Sequence, residues 1–425
     1  MLRIVDRNLD QEIHKILSRS ELKLDRPETK VVQKIINEVR QHGDKAVLSY
    51  TRKFDHAKLE YLKVNPLEIE LAHKSLDEKI LKALRVAIKN ISEYHLRQIP
   101  HSWMMPVGKK SRLGLRYSPV SAAGVYVPGG KAVYPSSLLM SVIPARLAGV
   151  NRVVVVTPPN RDGNVHPVIL AAAWELGIKE IYMCGGAQAI AALAYGTETI
   201  PRVDVIVGPG NIYMTLAKKL LYGIVGLDKL AGPSDSLILA DNSADPKFIA
   251  ADLITQAEHD PLASSLLIVN SRKLAEKVNA ELKKQVKTLK RNPIIESSFK
   301  NYGLIAVVED DTDFVRLADL IAPEHLQIML SNAEEVMDLV NNAGAIFLGN
   351  YSPEALGDYL AGPNHVLPTG GTARFASPLS LDDFIKKTSI IEYTKEDLKA
   401  VREHIITLAE VEGLTGHAHA IKVRF

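Results

Sequence analysis

The chain has 425 residues, 46% hydrophobic and 24% charged, with a formal net charge of +3. That composition suits a globular protein with more than one core, and so small a net charge gives no bulk electrostatic reason to bind nucleic acid or an anionic membrane. A single cysteine, Cys184, excludes an internal disulfide and a thiolate metal cluster. The start, MLRIVDRNLDQEIHK, is charged throughout and lacks the apolar stretch of a secretory signal. No run of about 18 apolar residues occurs, so no membrane helix and a cytoplasmic location are expected.

Residues 1–115 read as a mostly helical N-terminal region packing on the core. KVVQKIINEVRQHGDKAVLSYTRKF and DEKILKALRVAIKNISEYHLRQI place apolar residues at helical spacing, with a break at Gly43. From about residue 116 the texture changes to short β-branched runs alternating with helical patterns. AGVYVPGG, RVVVVTPP, EIYMCGG and VDVIVGPG are each followed by a helical stretch. After LAGPSD the alternation restarts with SLILAD, SSLLIVN, YGLIAVVED, HLQIML and AIFLGN. Continuous apolar strands separated by helices indicate parallel sheets covered on both faces. The expected fold is therefore α/β: two Rossmann-like parallel-sheet units of similar plan, over 116–235 and 236–375. A C-terminal helical segment over 376–425 completes the chain. The lysines of 283–291 back an apolar stripe of Leu274, Val278, Leu282, Val286 and Leu289, and so read as a solvated helix face.

Gly-rich turns close the strands of the first unit: VPGG (127–130), CGGAQ (184–188) and GPGN (208–211). Such turns let a backbone approach a phosphate at a helix N-terminus. None is a full G-x-G-x-x-G, so nucleotide binding and plain turn geometry both stay open.

In QAEH, Gln256 and His259 are three residues apart near a helix end, so an amide oxygen and an imidazole can converge on one ion. Asp358, His365, His417 and His419 are further nitrogen and oxygen donors, although single histidines like these are usually structural. Glu324 and His325, in IAPEHLQI, lie where Pro323 ends a helix and a strand begins. A carboxylate beside an imidazole can move protons near neutral pH, and an ordinary solvated helix-end loop is the plainer alternative.

Taken together, YVPGG, GGAQAIAALAYGTE, GPGN, AGPSD, DLITQAEH, APEHLQI, GDYLAGPNHVLPTGGTAR and EGLTGHA appear in this order. They resemble the histidinol dehydrogenase family over nearly the whole chain. The resemblance implies a zinc-dependent, NAD-linked, four-electron oxidation of L-histidinol through L-histidinaldehyde to L-histidine, the last two steps of histidine biosynthesis. It implies one Zn²⁺ per subunit on Gln256, His259, Asp358 and His417. It implies substrate contacts from Ser234, His325 and Glu412 alongside the metal ligands, and NAD contacts from Tyr126, Gln188 and Asn211. It also implies that the 236–375 unit carries the metal and catalytic residues, and a homodimer with 376–425 as a contact, in which the C-terminal segment reaches the partner's site; whether Glu412 and His417 act in cis or in trans stays open. His325 would be the general base for the alcohol, and Glu324 would activate water for the second oxidation. Three positions depart from the family pattern: Asp235 where glutamate is expected, Val205 where lysine is common, and the extra His419 beside His417.

Two other functions fit the residues less fully. A metal-dependent dehydrogenase for another amino alcohol would use the same ligands. A two-lobed binding protein would have no use for Glu324 beside His325, and no export signal supports it.

Overall fold

The N-terminal residues follow their periodicity. In the computed structural model, which describes residues 1–20, 25–129 and 133–425, strand β1 (Arg3–Val5) is followed by helices α1 (Leu9–Leu17), α2 (Pro27–Phe54), α3 (Pro66–Ser75) and α4 (Glu78–Leu96). Gly43 interrupts α2 with φ 50° and ψ −131°, a conformation open to a residue without Cβ. Two strands come next, β2 (Trp103–Val107) and β3 (Ser111–Pro119), where the sequence reads as the end of the helical region.

The first parallel sheet is built from β4 (Ala122–Tyr126), β5 (Arg152–Thr157), β6 (Ile181–Met183), β7 (Val205–Val207) and β8 (Gly226–Leu227). Between them run α5 (Pro135–Leu147), α6 (Pro167–Glu175), α7 (Gly186–Tyr195) and α8 (Ile212–Leu221). The strand order is β6-β5-β4-β7-β8, all parallel. Val153 to Val156 are buried on both faces, which is why this run does not alternate. Gly130, the last residue of VPGG, lies outside the described residues.

The second sheet takes β9 (Asp235–Ala240), β10 (Ser264–Val269), β11 (Leu304–Val307), β12 (His325–Met329) and β13 (Ala345–Leu348). Its helices are α9 (Pro246–Ala257), α10 (Arg272–Gln285), α11 (Asn292–Tyr302), α12 (Thr312–Ile321), α13 (Ala333–Leu339) and α14 (Glu354–Tyr359). The order β1-β11-β10-β9-β12-β13 is again wholly parallel, with β1 added from the N-terminus. The two Rossmann-like sheets expected from sequence are thus present. Leu274, Val278, Leu282 and Val286 are buried, with Lys283 and Lys284 exposed on α10, whereas Leu289, expected in the same stripe, lies beyond the helix and is exposed.

By contacts the chain divides into one unit of Met1–Gln98 with Ser121–Phe384, containing both parallel sheets, and another of Ile99–Val120 with Ile385–Phe425. The latter pairs β14 (Ile385–Glu392) with β3 and β2 in an antiparallel sheet, followed by α15 (Lys395–Val411) and α16 (Thr415–Lys422). The four segments expected from sequence cut the chain elsewhere: residue 115 falls inside β3, and 376–425 holds a short 3-10 turn (Leu381–Phe384) and the strand Ile385–Glu392 before its helices. No helix among the described residues is long and apolar enough to cross a membrane.

Candidate active site

In the first sheet the strand order reverses between β4 and β7, the topological switch point where open α/β sheets bind ligands at the carboxyl ends of their strands. Tyr126 ends β4, and its hydroxyl accepts the Gly186 N–H at 3.0 Å. Burial pushes this phenol up to about 12, so it stays neutral. Gln188, one turn into α7, is buried, and its Oε1 has no partner among the described residues. Asn211 caps α8, its Oδ1 accepting the N–H groups of Tyr213 and Met214 at 3.1 and 3.2 Å.

Gly208 follows β7 with φ 114°, and a Cβ there would collide with the Tyr126 carbonyl oxygen. Both of its backbone polar groups are held by one ion pair. The N–H donates to Asp228 Oδ2 at 2.9 Å, and the carbonyl accepts from Lys218 Nζ at 2.7 Å. Lys218 and Asp228 meet at 2.7 Å with side chains 2% and 1% exposed.

The second sheet uses its opposite edge. Ser234 precedes β9 and Glu324 precedes β12, so both lie at the amino ends of neighbouring strands, where His325 pairs with Ser236. The chain reaches this edge because α12 stops at Ile321. Ala322 turns left-handed (φ 48°) and Pro323 bars further helix. Glu324 and His325 are buried. Burial and the neighbouring Asp235 raise the Glu324 carboxyl well above its usual range, opposed by hydrogen bonds from the Asp235 N–H and the Ser234 hydroxyl. Burial, with His259 nearby, lowers His325 to about 3, and its Nδ1 has no partner among the described residues. The imidazole is therefore neutral.

A third group comes from α9 and α14. The N-cap Asp245 and Pro246 start α9, which ends at Ala257. Gln256 is therefore in its last turn and buried, while His259 lies just beyond the helix and is exposed. Ligand atoms of His259, Glu354 and Asp358 all lie within 4.8 Å of one another. In the orientation that satisfies its carboxamide, Gln256 donates from Nε2 to Glu354 Oε1 at 2.8 Å and accepts the Asp235 N–H at 3.1 Å. Burial raises Glu354 and Asp358, and Glu354 also faces Asp358, Glu324, Asp252 and Asp235. Nitrogen and oxygen donors converging amid buried carboxyls fit a divalent cation of zinc type.

Glu354 has no counterpart among the residues singled out from sequence. The signal is its i, i+4 spacing to Asp358 on a short helix opening after Pro353. His365 supports this group rather than joining it. Its Nδ1 faces the Asp358 carbonyl at 2.9 Å and its Nε2 faces Ser137 Oγ at 3.4 Å, and burial lowers it to about 4. Glu412, His417 and His419 belong to the other unit and are exposed: Glu412 is the C-cap of α15, and both histidines are on α16.

A cavity of about 120 Å³ joins the two sheet edges. Gly208, Pro209 and Gly210 from the first face Ser234 and Glu324 from the second, with Lys229 and the stretch His365–Leu367 completing the wall. Cys184 is buried within the core of the first sheet and its thiol is pushed up by that burial, so no catalytic thiolate is available there.

The histidinol dehydrogenase family description matches residues 17–425. The chain belongs to the histidinol dehydrogenase family. Histidinol dehydrogenase from Bacillus subtilis is 52% identical over 395 residues, covering 93% of this chain and 92% of that protein. The enzyme from Clostridium acetobutylicum is 50% identical over 396 residues, covering 93% and 92%. The crystal structure of histidinol dehydrogenase from Elizabethkingia anophelis superposes with a TM-score of 0.94 at 35% identity, covering 100% of this chain and 98% of that one. The chain is thus an NAD-dependent oxidoreductase of a zinc-dependent family. Its donor cluster fits the metal, and the unpaired Gln188 oxygen beside Gly-rich turns fits a dinucleotide.

Proposed function

We propose that the cavity between the two sheet edges carries out both oxidations of L-histidinol, through L-histidinaldehyde to L-histidine, with reduction of two NAD⁺. The observation that carries this is the meeting, in one cavity, of the Gly208–Gly210 turn with Ser234 and the Glu324 carboxyl. Gln256, His259 and Asp358, with His417 of a second subunit, would hold zinc, and the carboxyl of Glu354 adds a charge beside them. Tyr126, Gln188 and Asn211 would hold NAD, and Ser234, His325 and Glu412 the substrate. When bound, zinc supplies a Lewis acid for the reacting oxygen and NAD⁺ an acceptor for hydride.

The remaining chemistry belongs to the chain. His325, neutral and with an unpaired ring nitrogen, takes the hydroxyl proton as hydride leaves the carbinol carbon. Glu324 takes a proton from water as its oxygen adds to the aldehyde carbon, leaving the hydrate as its monoanion, and hydride loss from that carbon gives the carboxylic acid. Burial of both groups excludes bulk water during transfer. A homodimer sharing its C-terminal segments, working in the cytoplasm, completes this reading.

The test is NADH formation from L-histidinol before and after chelation, with zinc content measured on the same samples. Loss on chelation and recovery with stoichiometric zinc are expected. Activity that survives complete zinc removal overturns the metal assignment.

A further inference from the structure

Asp235 ties together three segments around Glu324. Its Oδ1 accepts the Glu324 backbone N–H at 2.8 Å, and its Oδ2 accepts the Gly370 N–H at 2.9 Å. Its own N–H donates to Glu324 Oε2 at 3.2 Å and lies 3.1 Å from the Gln256 amide oxygen. One residue thus fixes the main chain of Glu324, one oxygen of its carboxyl, and the loop carrying Thr369 on the cavity wall. The side chain is buried, and the cavity is lined by its neighbours Ser234 and Glu324 but not by Asp235 itself.

A buried carboxylate beside another carboxyl needs compensation. Arg19 supplies it: the guanidinium is held by the carbonyls of Ile16, Leu262 and Ser234, at 3.1, 2.9 and 3.2 Å. Its charge acts on both Asp235 and Glu324.

We propose that Asp235 is a positioning residue for Glu324, setting where the water-activating carboxyl points and so governing the second oxidation without touching substrate. This rests on Glu324 activating water. The amide of Asp235→Asn has one acceptor oxygen for the two N–H groups now held, and its NH₂ faces the other. Asp235→Glu keeps both acceptors. A misplacement near 1 Å at a reacting group costs on the order of 100-fold.

The experiment is single-turnover NADH formation from L-histidinol by the zinc-loaded enzyme, resolving the two hydride transfers, with L-histidinaldehyde supplied separately to isolate the second. In Asp235→Asn the second transfer is expected to slow on the order of 100-fold, the first to stay within about threefold, and zinc content to be unchanged. Asp235→Glu should recover most of the loss. Equal slowing of both transfers, slowing of neither, or failure of both variants to fold overturns the proposal. Glu324→Gln is run in parallel. If it leaves aldehyde oxidation intact, the role of Glu324 has failed. If it abolishes that step while Asp235→Asn does not slow it selectively, only the role of Asp235 has failed.

Discussion

At the level of single residues, neutrality of His325 is the most consequential property of the site. Burial lowers the imidazole to about 3, against about 6.5 for a solvated histidine. In the metal-free protein its ring resonances should therefore not titrate between pH 8 and pH 5, which NMR of labelled histidine can follow. The unfolded chain binds this proton below about pH 6.5 and the folded chain does not until about pH 3, so acidification through that window destabilises the fold. His325→Gln should lower the rate of alcohol oxidation by about 10²–10⁴-fold. Glu324 and His325 were legible in sequence because they are adjacent and follow a proline. Gln256 and His259 stood out in sequence because they lie three residues apart at a helix end, although His259 falls just beyond the helix. Asp235 was noticed only as a departure from the family pattern. Its role depends on hydrogen bonds to residues 324 and 370, a pairing no local pattern encodes.

At the level of elements, the two sheets obey different rules. The switch point between β4 and β7 lies at the strand ends that the carboxyl-end rule selects, beside the turns at 184–188 and 208–211, where the sequence left nucleotide binding and plain turn geometry both open. The second sheet presents Ser234 and Glu324 at the amino ends of β9 and β12, an edge the rule does not select. The Gly208 turn is held by an ion pair whose partners are ten residues apart, at 218 and 228. Lys218→Met leaves Asp228 buried without its cation, and should cost about 3–5 kcal/mol of stability in urea unfolding. Removing both charges with Lys218→Met and Asp228→Leu should cost less than the single change, because no buried charge is then left unpaired. Sequence could not show this pair, since each residue alone reads as a surface charge.

At the level of the whole chain, the strand–helix alternation of 116–375 made the parallel sheets readable, because buried parallel strands are continuous apolar runs. The antiparallel sheet was missed. Its strands β3 and β14 lie far apart in sequence, with Ile385 opposite Pro119, and exposed faces blur their alternation. Within that unit Asp397 accepts the N–H groups of Lys109, Lys110 and Ser111 at 2.8, 2.9 and 3.0 Å, and the Ser111 hydroxyl at 2.7 Å. These bonds hold its carboxyl well below the usual range. Its stabilisation is complete above the ordinary carboxylate range and is lost as pH falls below it. Asp397→Asn should therefore remove part of the fall in thermal stability between pH 5 and pH 3. Two successive oxidations by one chain remain the claim on which the rest depends. The most direct measurement is the ratio of NADH formed to L-histidinol consumed, by the zinc-loaded enzyme and by Glu324→Gln. A ratio of two in the parent, falling toward one with histidinaldehyde accumulating in the variant, is the expected result. A variant that still forms two NADH per histidinol at the parent rate would contradict it.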